Sequence, residues 1–578
     1  MAEMFALSGF SAFHFARIDY QDRAKREAEH TTEVVMQPSH SLNSSGHSGL
    51  NVDILAGAMH QYNQLEGFYF ENAKALPGGP LQDNPALRGY NVEFWVEKFV
   101  VAIAKRRLAM GPNSRHIMIT MGSDFNYENA PLWYESLDRL IHHVNIDGRL
   151  NVLYATPQSY TETIHAEAAM MNHRKRPSAN GLQEQEPAAA AAAGKRIFPT
   201  KRDDWLPYAD FKHSYWSGYF TSRPALKRYI RSSSSLLNAC RQLEVSGIFF
   251  AKQQASASLW KAVSLTQHHD AITGTSKQHV ADDYAERLSI GRALCYDSIA
   301  KQLGVPLATP CRLLNESVCA ATTSLNSNSS GGVVHISVYN PLGQSRSHMI
   351  SLPVRVGTSL PPTLRIRNGR TALSLPTQLL PLPPSASSAA RRAADHVLIA
   401  SIPLAPLSAT HLVLEAGGAA ARDEGERHEE ERFSAPAARA PSGLSNISNL
   451  VYTLYFNESS GELHSIRNLL TGVSCALTQQ WGWYNGSNGT LSDPRASSGA
   501  YVFRPACVSD ESARGGDCKL TLPVPNKIVL RIDKGAVVEE ATQIFSPWLS
   551  QTIRLRRSTA ARPSFFDIND HVRTRRTT

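Results

Sequence analysis

His116-Ile117-Met118-Ile119-Thr120-Met121, followed by Gly122-Ser123-Asp124, is the stretch on which the fold turns. Five uncharged residues run from Ile117 to the Gly122 punctuation, which is the pattern of a buried strand. Immediately upstream, Val92 to Met110 mixes Phe94, Trp95, Phe99, Ile103 and Leu108 with charged residues, and Asn91 stands where an N-cap belongs, so a helix is predicted there. Downstream, a second helix fits roughly Leu132 to Val144, and Leu150-Asn151-Val152-Leu153-Tyr154-Ala155 reads as the next strand. Strand, helix and strand at this spacing form a βαβ unit and predict a parallel sheet. Gly9-Phe10-Ser11-Ala12-Phe13-His14-Phe15-Ala16 adds a further strand, ending at Arg17, so residues 8 to about 180 read as α/β.

Beyond this region the pattern changes twice. Residues 183–194 end in a run of alanines and read as a low-complexity surface loop. Residues 222 to about 304 read as a small helical bundle. It opens with Ser222-Arg223-Pro224, continues from about Ser256 through Trp260 to Gln267, and closes with a helix from about Ser276 to Leu303. From Val333 onward short alternating runs take over, as in Val334, Ile336 and Val338 before the turn Asn340-Pro341-Leu342-Gly343, and again at 396–403 and 411–415. That is the signature of an antiparallel β-sandwich. Residues 384–394 and 416–441 read as disordered loops within it.

At 578 residues the chain exceeds a single core. The divisions expected are 1–203 (α/β), 204–305 (helical bundle) and 330–578 (β-sandwich region). No run approaches the ~20 apolar residues of a membrane span. Net charge is +9, with a dense end in Arg554, Arg556, Arg557, Arg573, Arg575 and Arg576, but no recognition helix or RNA-binding signature accompanies it. Nucleic acid is therefore not expected as a partner. The start of the chain carries no basic n-region or apolar h-region. Sequons at Asn43, Asn315, Asn328, Asn446, Asn457, Asn485 and Asn488 nevertheless point to the secretory route. All seven cysteines lie from Cys240 onward, and Cys311 and Cys319 enclose a short loop holding Asn315, which suits a disulfide beside a glycan. Their spacing offers no thiolate zinc site.

Three groups of residues have the types that chemistry needs, and each has a structural reading of equal simplicity. Asp124 follows a buried strand at its carboxyl end, the edge where α/β sheets bind ligands, and suits acid–base work; it would equally cap the following helix. In His268-His269-Asp270, adjacent histidines on a helix diverge by about 100°, so one histidine would ligate a metal while the other packs; both would otherwise be structural. Tyr208-Ala209-Asp210 and Tyr215-Trp216-Ser217-Gly218-Tyr219 supply flat rings for the C–H face of a sugar, or simply core.

Taken in order, Arg17-Ile18-Asp19-Tyr20-Gln21-Asp22, Met121-Gly122-Ser123-Asp124-Phe125, Tyr208-Ala209-Asp210, Trp216-Ser217-Gly218-Tyr219-Phe220, Ser222-Arg223-Pro224, Gln267-His268-His269-Asp270-Ala271 and Ser498-Gly499-Ala500-Tyr501 resemble the class II α-mannosidases, glycoside hydrolase family 38, in their lysosomal branch. The resemblance runs from about residue 4 to about residue 555. It implies hydrolysis of terminal non-reducing α-D-mannose from N-glycan-derived oligosaccharides, by a zinc-dependent retaining mechanism, in a lysosome or vacuole. By the same resemblance Asp124 is the general acid/base, and His269 is a zinc ligand. Arg17, Tyr62, Asp210, Trp216, Asp270 and Tyr501 line the substrate pocket, and Cys240–Cys295 and Cys311–Cys319 are disulfides. The family's nucleophilic carboxylate and remaining zinc ligands match no residue of this chain, so the α/β domain is expected to be incomplete at its start and the β-region at its end. The resemblance implies one zinc ion, with most of its ligands missing from this chain; a catalytically inactive fragment or glycan-binding relic lacking the nucleophile is the alternative reading. Oligomeric state is not legible.

Overall fold

The computed structural model describes residues 1–38, 53–71, 79–111, 114–167, 198–246, 255–305, 310–314, 317–325, 332–356, 363–368, 371–384, 386–415, 441–489, 497–506, 521, 528–557 and 566–572. The expected loop at 183–194, all of the expected loop at 416–441 but its last residue, and the sequons at Asn43, Asn315 and Asn328 lie outside them. The chain forms two compact units: residues 1–220 with 486–512, and residues 221–485 with 513–578.

The first unit is α/β. Helix α1 (Ala2–Leu7), strand β1 (Ala12–Phe15), helix α2 (Tyr20–Glu29), strands β2 (Glu33–Met36) and β3 (Ile54–Ala58), helices α3 (Val92–Met110), α4 (Ala130–Asp147) and α5 (Pro157–Glu167), and the short strand β4 (Thr200–Lys201) follow in order. The sheet order is β1-β3-β2-β4. β1 pairs with β3, and β2 with β4, in parallel, but β2 and β3 run antiparallel, so the sheet is mixed rather than wholly parallel. An apolar run shows that a strand is buried; its direction is set by the end at which the connection re-enters, which composition does not encode.

Two expected strands are absent from the ladder. Residues 116–121 and 150–155 carry no strand pairing. Their side chains explain the reading: Ile117, Ile119, Met121, Leu150 and Val152 pack on the cluster built by α3 and α4, around Trp95, Phe99, Trp133 and Leu140. Burial produced the strand-like pattern without the backbone pairing. In α3 the buried positions Val92, Trp95, Val96, Phe99 and Ile103 recur at helical spacing and form one face. Asn91 sits at its N-cap without a capping bond, because its Oδ1 accepts instead from the Gln82 N–H at 2.8 Å. α4 ends on Gly148, in the left-handed conformation that glycine adopts without a Cβ penalty.

In the second unit, α6 (Pro224–Ser246), α7 (Ala255–Leu265) and α8 (Gln278–Gln302) form the expected bundle around Ile230, Leu237, Leu259, Ala262 and Leu288. The structure bonds Cys240 to Cys295 across α6 and α8 inside this core, and Cys311 to Cys319. Gly291 of α8 faces α7 so closely that a Cβ would lie 2.6 Å from the Leu259 Cα. The two helices touch backbone to backbone there.

All of the remaining ladders are antiparallel. β6 (Arg346–Val354), β10 (His396–Leu404) and β9 (Thr377–Pro381) make one sheet; β5 (Val333–Asn340), β11 (Ser408–Glu415), β7 (Thr363–Asn368) and β8 (Thr371–Ser374) make the next. Leu352, Val354, Leu398, Ile402, Leu412 and Leu414 share a core between them, which is sandwich packing. A second pair follows: β12 (Leu444–Ser448), β13 (Tyr452–Asn457), β14 (Leu463–Asn468) and β15 (Ser474–Ala476), with β16 (Val529–Lys534), β17 (Val538–Ser546), β18 (Leu549–Arg556) and β19 (Phe566–Val572). Ile447, Leu454, Phe456, Ala541, Ile553 and Leu555 join these two sheets. The segment 384–394, expected to be a disordered loop, contains helix α9 (Ser388–Ala393), capped by the Ser387 hydroxyl on the Ala390 N–H. Ala386, Ala390 and Ala394 are buried against Leu380 and Val538. Alanine and arginine suit a helix, so a composition that reads as disorder folds once an apolar surface is available to cover.

Candidate functional site

The sequence-predicted residues divide between the units: Arg17, Tyr62, Asp124, Asp210, Trp216 and Tyr501 lie in the first, His269 and Asp270 in the second.

In the first unit, β1 delivers Arg17 just past its carboxyl end, between the buried Ala16 and Ile18. Arg17 Nη2 donates to the Tyr62 hydroxyl at 2.5 Å. Its guanidinium lies 4.6 Å from the ring centre of Trp216, 5.1 Å from Tyr62 and 5.6 Å from Tyr208. A planar delocalised cation stacks on such faces while keeping its remaining donors available. Trp216 is fixed by backbone bonds: its N–H donates to the Tyr208 carbonyl at 2.9 Å, and the Gly218 N–H donates to the Tyr501 carbonyl at 3.1 Å. Gly218 has to be glycine, since a Cβ would meet the Gly499 carbonyl oxygen at 2.3 Å. Tyr501 meets Trp216 edge-on at 6.0 Å. Arg17, Tyr62, Trp216 and Tyr501 therefore form one wall, with Tyr208 behind it. Burial, and then the neighbouring Asp210 carboxylate, raise the Tyr208 hydroxyl above its ordinary pKa.

Asp210 and Asp124 are both exposed, and neither makes a hydrogen bond or ion pair among the described residues. Asp124 does not cap a helix, since α4 begins at Ala130 with Asn129 at its N-cap. The surrounding backbone is unusual: Phe125 and Tyr127 have φ of 62° and 67°, a region that bulky residues rarely enter. The Tyr127 hydroxyl donates to the Met121 carbonyl at 2.8 Å and holds this turn. The loop carrying Tyr62 is tied to the same segment, with the Gln64 N–H donating to the Gly122 carbonyl at 3.0 Å and the Thr120 hydroxyl to the Asn63 carbonyl at 3.1 Å. Tyr62 and Asp124 thus each lie two residues from one backbone hydrogen bond. Asp19 and Asp22 are occupied elsewhere: Asp19 caps α2 through the N–H groups of Gln21 and Asp22, and Asp22 pairs with Arg26 at 2.9 Å.

A cavity of about 60 Å³ in this unit is lined by Asn63 and Thr120 but by none of Arg17, Tyr62, Asp124, Asp210, Trp216 and Tyr501. Its polar lining includes Glu27, His60, Glu33, Tyr160, His14 and Arg106. Much of that polarity is satisfied internally, with His60 Nδ1 on Glu27 at 2.5 Å and the Tyr160 hydroxyl on Glu33 at 2.7 Å. The ring-lined wall, not the cavity, has the chemistry suited to a sugar.

In the second unit, α7 ends at Leu265, and His268, His269 and Asp270 lie in the turns that follow it. The expected helical divergence of the two histidines therefore does not arise. Their rings lie 4.5 Å apart and are tilted by 47°. His268 Nε2 is 3.5 Å from Asp270 Oδ2, while Oδ1 accepts from the Thr275 hydroxyl at 2.6 Å. One ligand atom from each of the three residues lies within 4.8 Å of the others, the one such group among the described residues. Both histidines are exposed and Asp270 is half-buried. The donor set, two imidazoles and a carboxylate, fits a divalent ion of zinc's class. The start of the bundle clamps the turn: the Ser222 hydroxyl donates to the Gly274 carbonyl at 2.9 Å, Arg223 to the Ser276 carbonyl at 3.0 Å and Lys227 to the Ile272 carbonyl at 2.8 Å. Gly274 has φ +75°, and a Cβ there would meet the Ser222 carbonyl oxygen at 2.4 Å. Sequence reasoning left His268 as a packing residue and missed Thr275; the Thr273-Gly274-Thr275 punctuation was the signal for a turn at this point.

Three family models match in order: the glycosyl hydrolases family 38 N-terminal domain over residues 1–179, the alpha mannosidase middle domain over 214–305, and the glycosyl hydrolases family 38 C-terminal domain over 447–568. The chain belongs to glycosyl hydrolase family 38. It is 35% identical to an alpha-mannosidase of Arabidopsis thaliana, over 95% of this chain and 50% of that one. It is 33% identical to the alpha-mannosidase of Canavalia ensiformis, over 95% of this chain and 52% of the relative. With the lysosomal alpha-mannosidase of Homo sapiens it shares 32%, over 96% and 49% respectively. The chain thus spans about half the length of the relatives it matches. A solved alpha-mannosidase from Enterococcus faecalis V583 aligns with 96% of this chain and 53% of its own, at 12% identity and a TM-score of 0.44. No helix among the described residues is long and apolar enough to cross a membrane.

Proposed function

We propose that this chain is part of an α-mannosidase that removes terminal non-reducing α-D-mannose from N-glycan-derived oligosaccharides by a zinc-dependent retaining mechanism. The carrying observation is the wall of Arg17, Tyr62, Trp216 and Tyr501, tied through the Tyr62 loop to the segment that ends in the unpartnered Asp124 carboxylate. Rings of this kind take the apolar C–H face of a pyranose, and the Asp210 carboxylate is suited to accept from paired hydroxyls. Asp124 is assigned as general acid/base: it donates a proton to the glycosidic oxygen as the leaving group departs, then takes one from the incoming water.

Arg17 presents unspent guanidinium donors on that wall and is suited to steady the second carboxylate that retention requires, ~5–5.5 Å from the acid. That nucleophile is not assigned to a residue of this chain. His269 is the proposed zinc ligand, with Asp270 beside it as a contact for sugar hydroxyls. Bound zinc would supply Lewis-acid attraction for vicinal mannose hydroxyls. The three divisions of the chain, 1–203, 204–305 and 330–578, are proposed as its domains, and the lysosome or vacuole as its compartment, by similarity to the lysosomal relatives.

The test is hydrolysis of an aryl α-mannoside by the purified chain with and without a zinc chelator, beside the Asp124→Asn variant. Chelator-sensitive turnover that collapses in the variant would support the catalytic reading and would require a carboxylate of this chain to serve as the nucleophile. Folded chain with no turnover would overturn the catalytic reading and favour a glycan-binding relic.

A further inference from the structure

We infer that Arg23 is a positioning residue for the proposed sugar wall: from α2 it joins the carboxyl ends of β1 and β3 and thereby sets the Arg17–Tyr62 pair. The inference rests on the reading of that wall as a mannose site and deepens it. Among the described residues, the hydrogen bonds of the Arg23 guanidinium go to backbone carbonyls and not to a side chain of the wall.

Strands β1 and β3 stay in register as far as Phe15 and Ala58, and one more bond follows, from the Met59 N–H to the Phe15 carbonyl at 2.7 Å. Beyond it the strands part, one toward Arg17 and the other toward Tyr62. Two carbonyls are left where the ladder ends, on Ala16 and Met59. Neither can bond the other, because both only accept, so a donor has to come between them. Arg23 supplies it: Nη1 donates to the Met59 carbonyl at 2.7 Å, and Nη2 to the Ala16 carbonyl. The planar guanidinium holds its donors at a fixed spacing, so it sets the separation of the strand ends as well as satisfying them.

The helix that carries Arg23 is itself fixed. Asp19 caps α2 through the N–H groups of Gln21 and Asp22, and the Arg23 N–H donates to the Asp19 carbonyl at 2.9 Å. One turn further on, Glu27 shares the helix face of Arg23 and meets His60 Nδ1 at 2.5 Å. Helix α2 therefore grips two consecutive residues, Met59 and His60, just ahead of Tyr62. The far side of the same loop is held by the Gln64 N–H on the Gly122 carbonyl at 3.0 Å. Tyr62 lies between these anchors and is 47% exposed, and Arg17 is exposed as well. Long exposed side chains do not hold one geometry unaided. The 2.5 Å bond from Arg17 Nη2 to the Tyr62 hydroxyl thus depends on where the backbone delivers the two residues, which is what Arg23 sets.

The experiment titrates the full chain with methyl α-D-mannopyranoside, followed by tryptophan fluorescence, and measures hydrogen exchange at the Met59 amide by mass spectrometry. Arg23→Met keeps the apolar stem and removes every donor, whereas Arg23→Lys keeps a donor able to reach both carbonyls. Arg23→Met is expected to weaken mannoside binding about 3- to 10-fold, the scale of one hydrogen bond, and to speed exchange at Met59. Arg23→Lys should restore both toward wild type. In a Tyr62→Phe background the pair is already gone, so Arg23→Met should add little; a merely structural role would add its full effect. Wild-type binding in Arg23→Met, or full additivity with Tyr62→Phe, would overturn the inference. Should Arg23→Met unfold, Arg23→Gln, which reaches one carbonyl but does not span two, carries the same comparisons. A wild-type chain that binds no mannoside would defeat the sugar reading of the wall instead. Exchange at Met59 then decides the brace: a wild-type rate in Arg23→Met removes it, and a faster rate that Arg23→Lys reverses upholds it.

Discussion

At the residue scale, the site separates side chains that are spent from those that are not. Asp19 and Asp22 lie two and five residues after Arg17, but one is consumed by the α2 cap and the other by Arg26. Asp124 and Asp210 have no such commitment among the described residues. Because Asp124 is exposed and unbonded, its removal should separate function from stability. Asp124→Asn is expected to lower kcat by about 10²- to 10⁴-fold while the denaturation midpoint stays within error. Parallel loss of midpoint and activity would show instead that the carboxylate supports the strained Phe125–Tyr127 turn. The residue types were legible in sequence. Their availability was not, because it depends on which partners the chain brings near.

Among the elements, the helical bundle follows most directly from the sequence, and its tightest point is the α7–α8 crossing. At Gly291 a Cβ would lie 2.6 Å from the Leu259 Cα and 2.8 Å from its N, and backbone cannot move aside as a flexible side chain can. Gly291→Ala should therefore destabilise by about 1–3 kcal/mol despite its better helix propensity. Gly343→Ala, with nothing within 4 Å of the added carbon, serves as control and should stay within about 0.5 kcal/mol. Equal effects in urea unfolding would remove the close-approach explanation. The strands were harder to read. Residues 116–121 match a strand in composition, yet Ile117, Ile119 and Met121 complete the α3–α4 cluster and their backbone joins no ladder. Hydrophobic pattern reports which side chains leave water; it does not report what the peptide groups bond to. The opposite case is Ser388–Ala393, where low-complexity composition hides a capped helix.

Taken over the whole molecule, both described disulfides belong to the second unit. Reducing agent should therefore lower that unit's unfolding transition, by about 2–5 kcal/mol for Cys240–Cys295, and leave the first unit's transition in place. A single transition shifted as a whole would contradict independent units. In the first unit, acid acts through His14 and Glu27. Burial, with the nearby His165 charge second, holds His14 below its usual pKa of 6.5. The unfolded chain thus binds the proton more readily, so His14's contribution is complete above about pH 6.5 and is lost as pH falls through its lower folded value. Glu27 adds a second, more acid window. Its hydrogen bond to His60, chiefly, lowers it from 4.5, so its stabilisation is present above that value and lost on further acidification. Urea midpoints measured between pH 7.5 and 5 should fall, and fall less in His14→Gln.

By itself, the sequence determined the order of an α/β region, a helical region and a region of antiparallel strands, the positions of the bundle helices and which residues are candidates to meet a sugar or a metal, because burial period, turn punctuation and side-chain chemistry are local properties. Tertiary structure alone decided the mixed direction of the first sheet, the doubling of the β-sheet pairs and the meeting of Arg17 with Tyr62, Tyr208 and Trp216. It also turned His268 and His269 to the same side, by ending α7 before them. Each of these depends on where a connection returns or a helix stops, and that is settled by packing between segments distant in sequence.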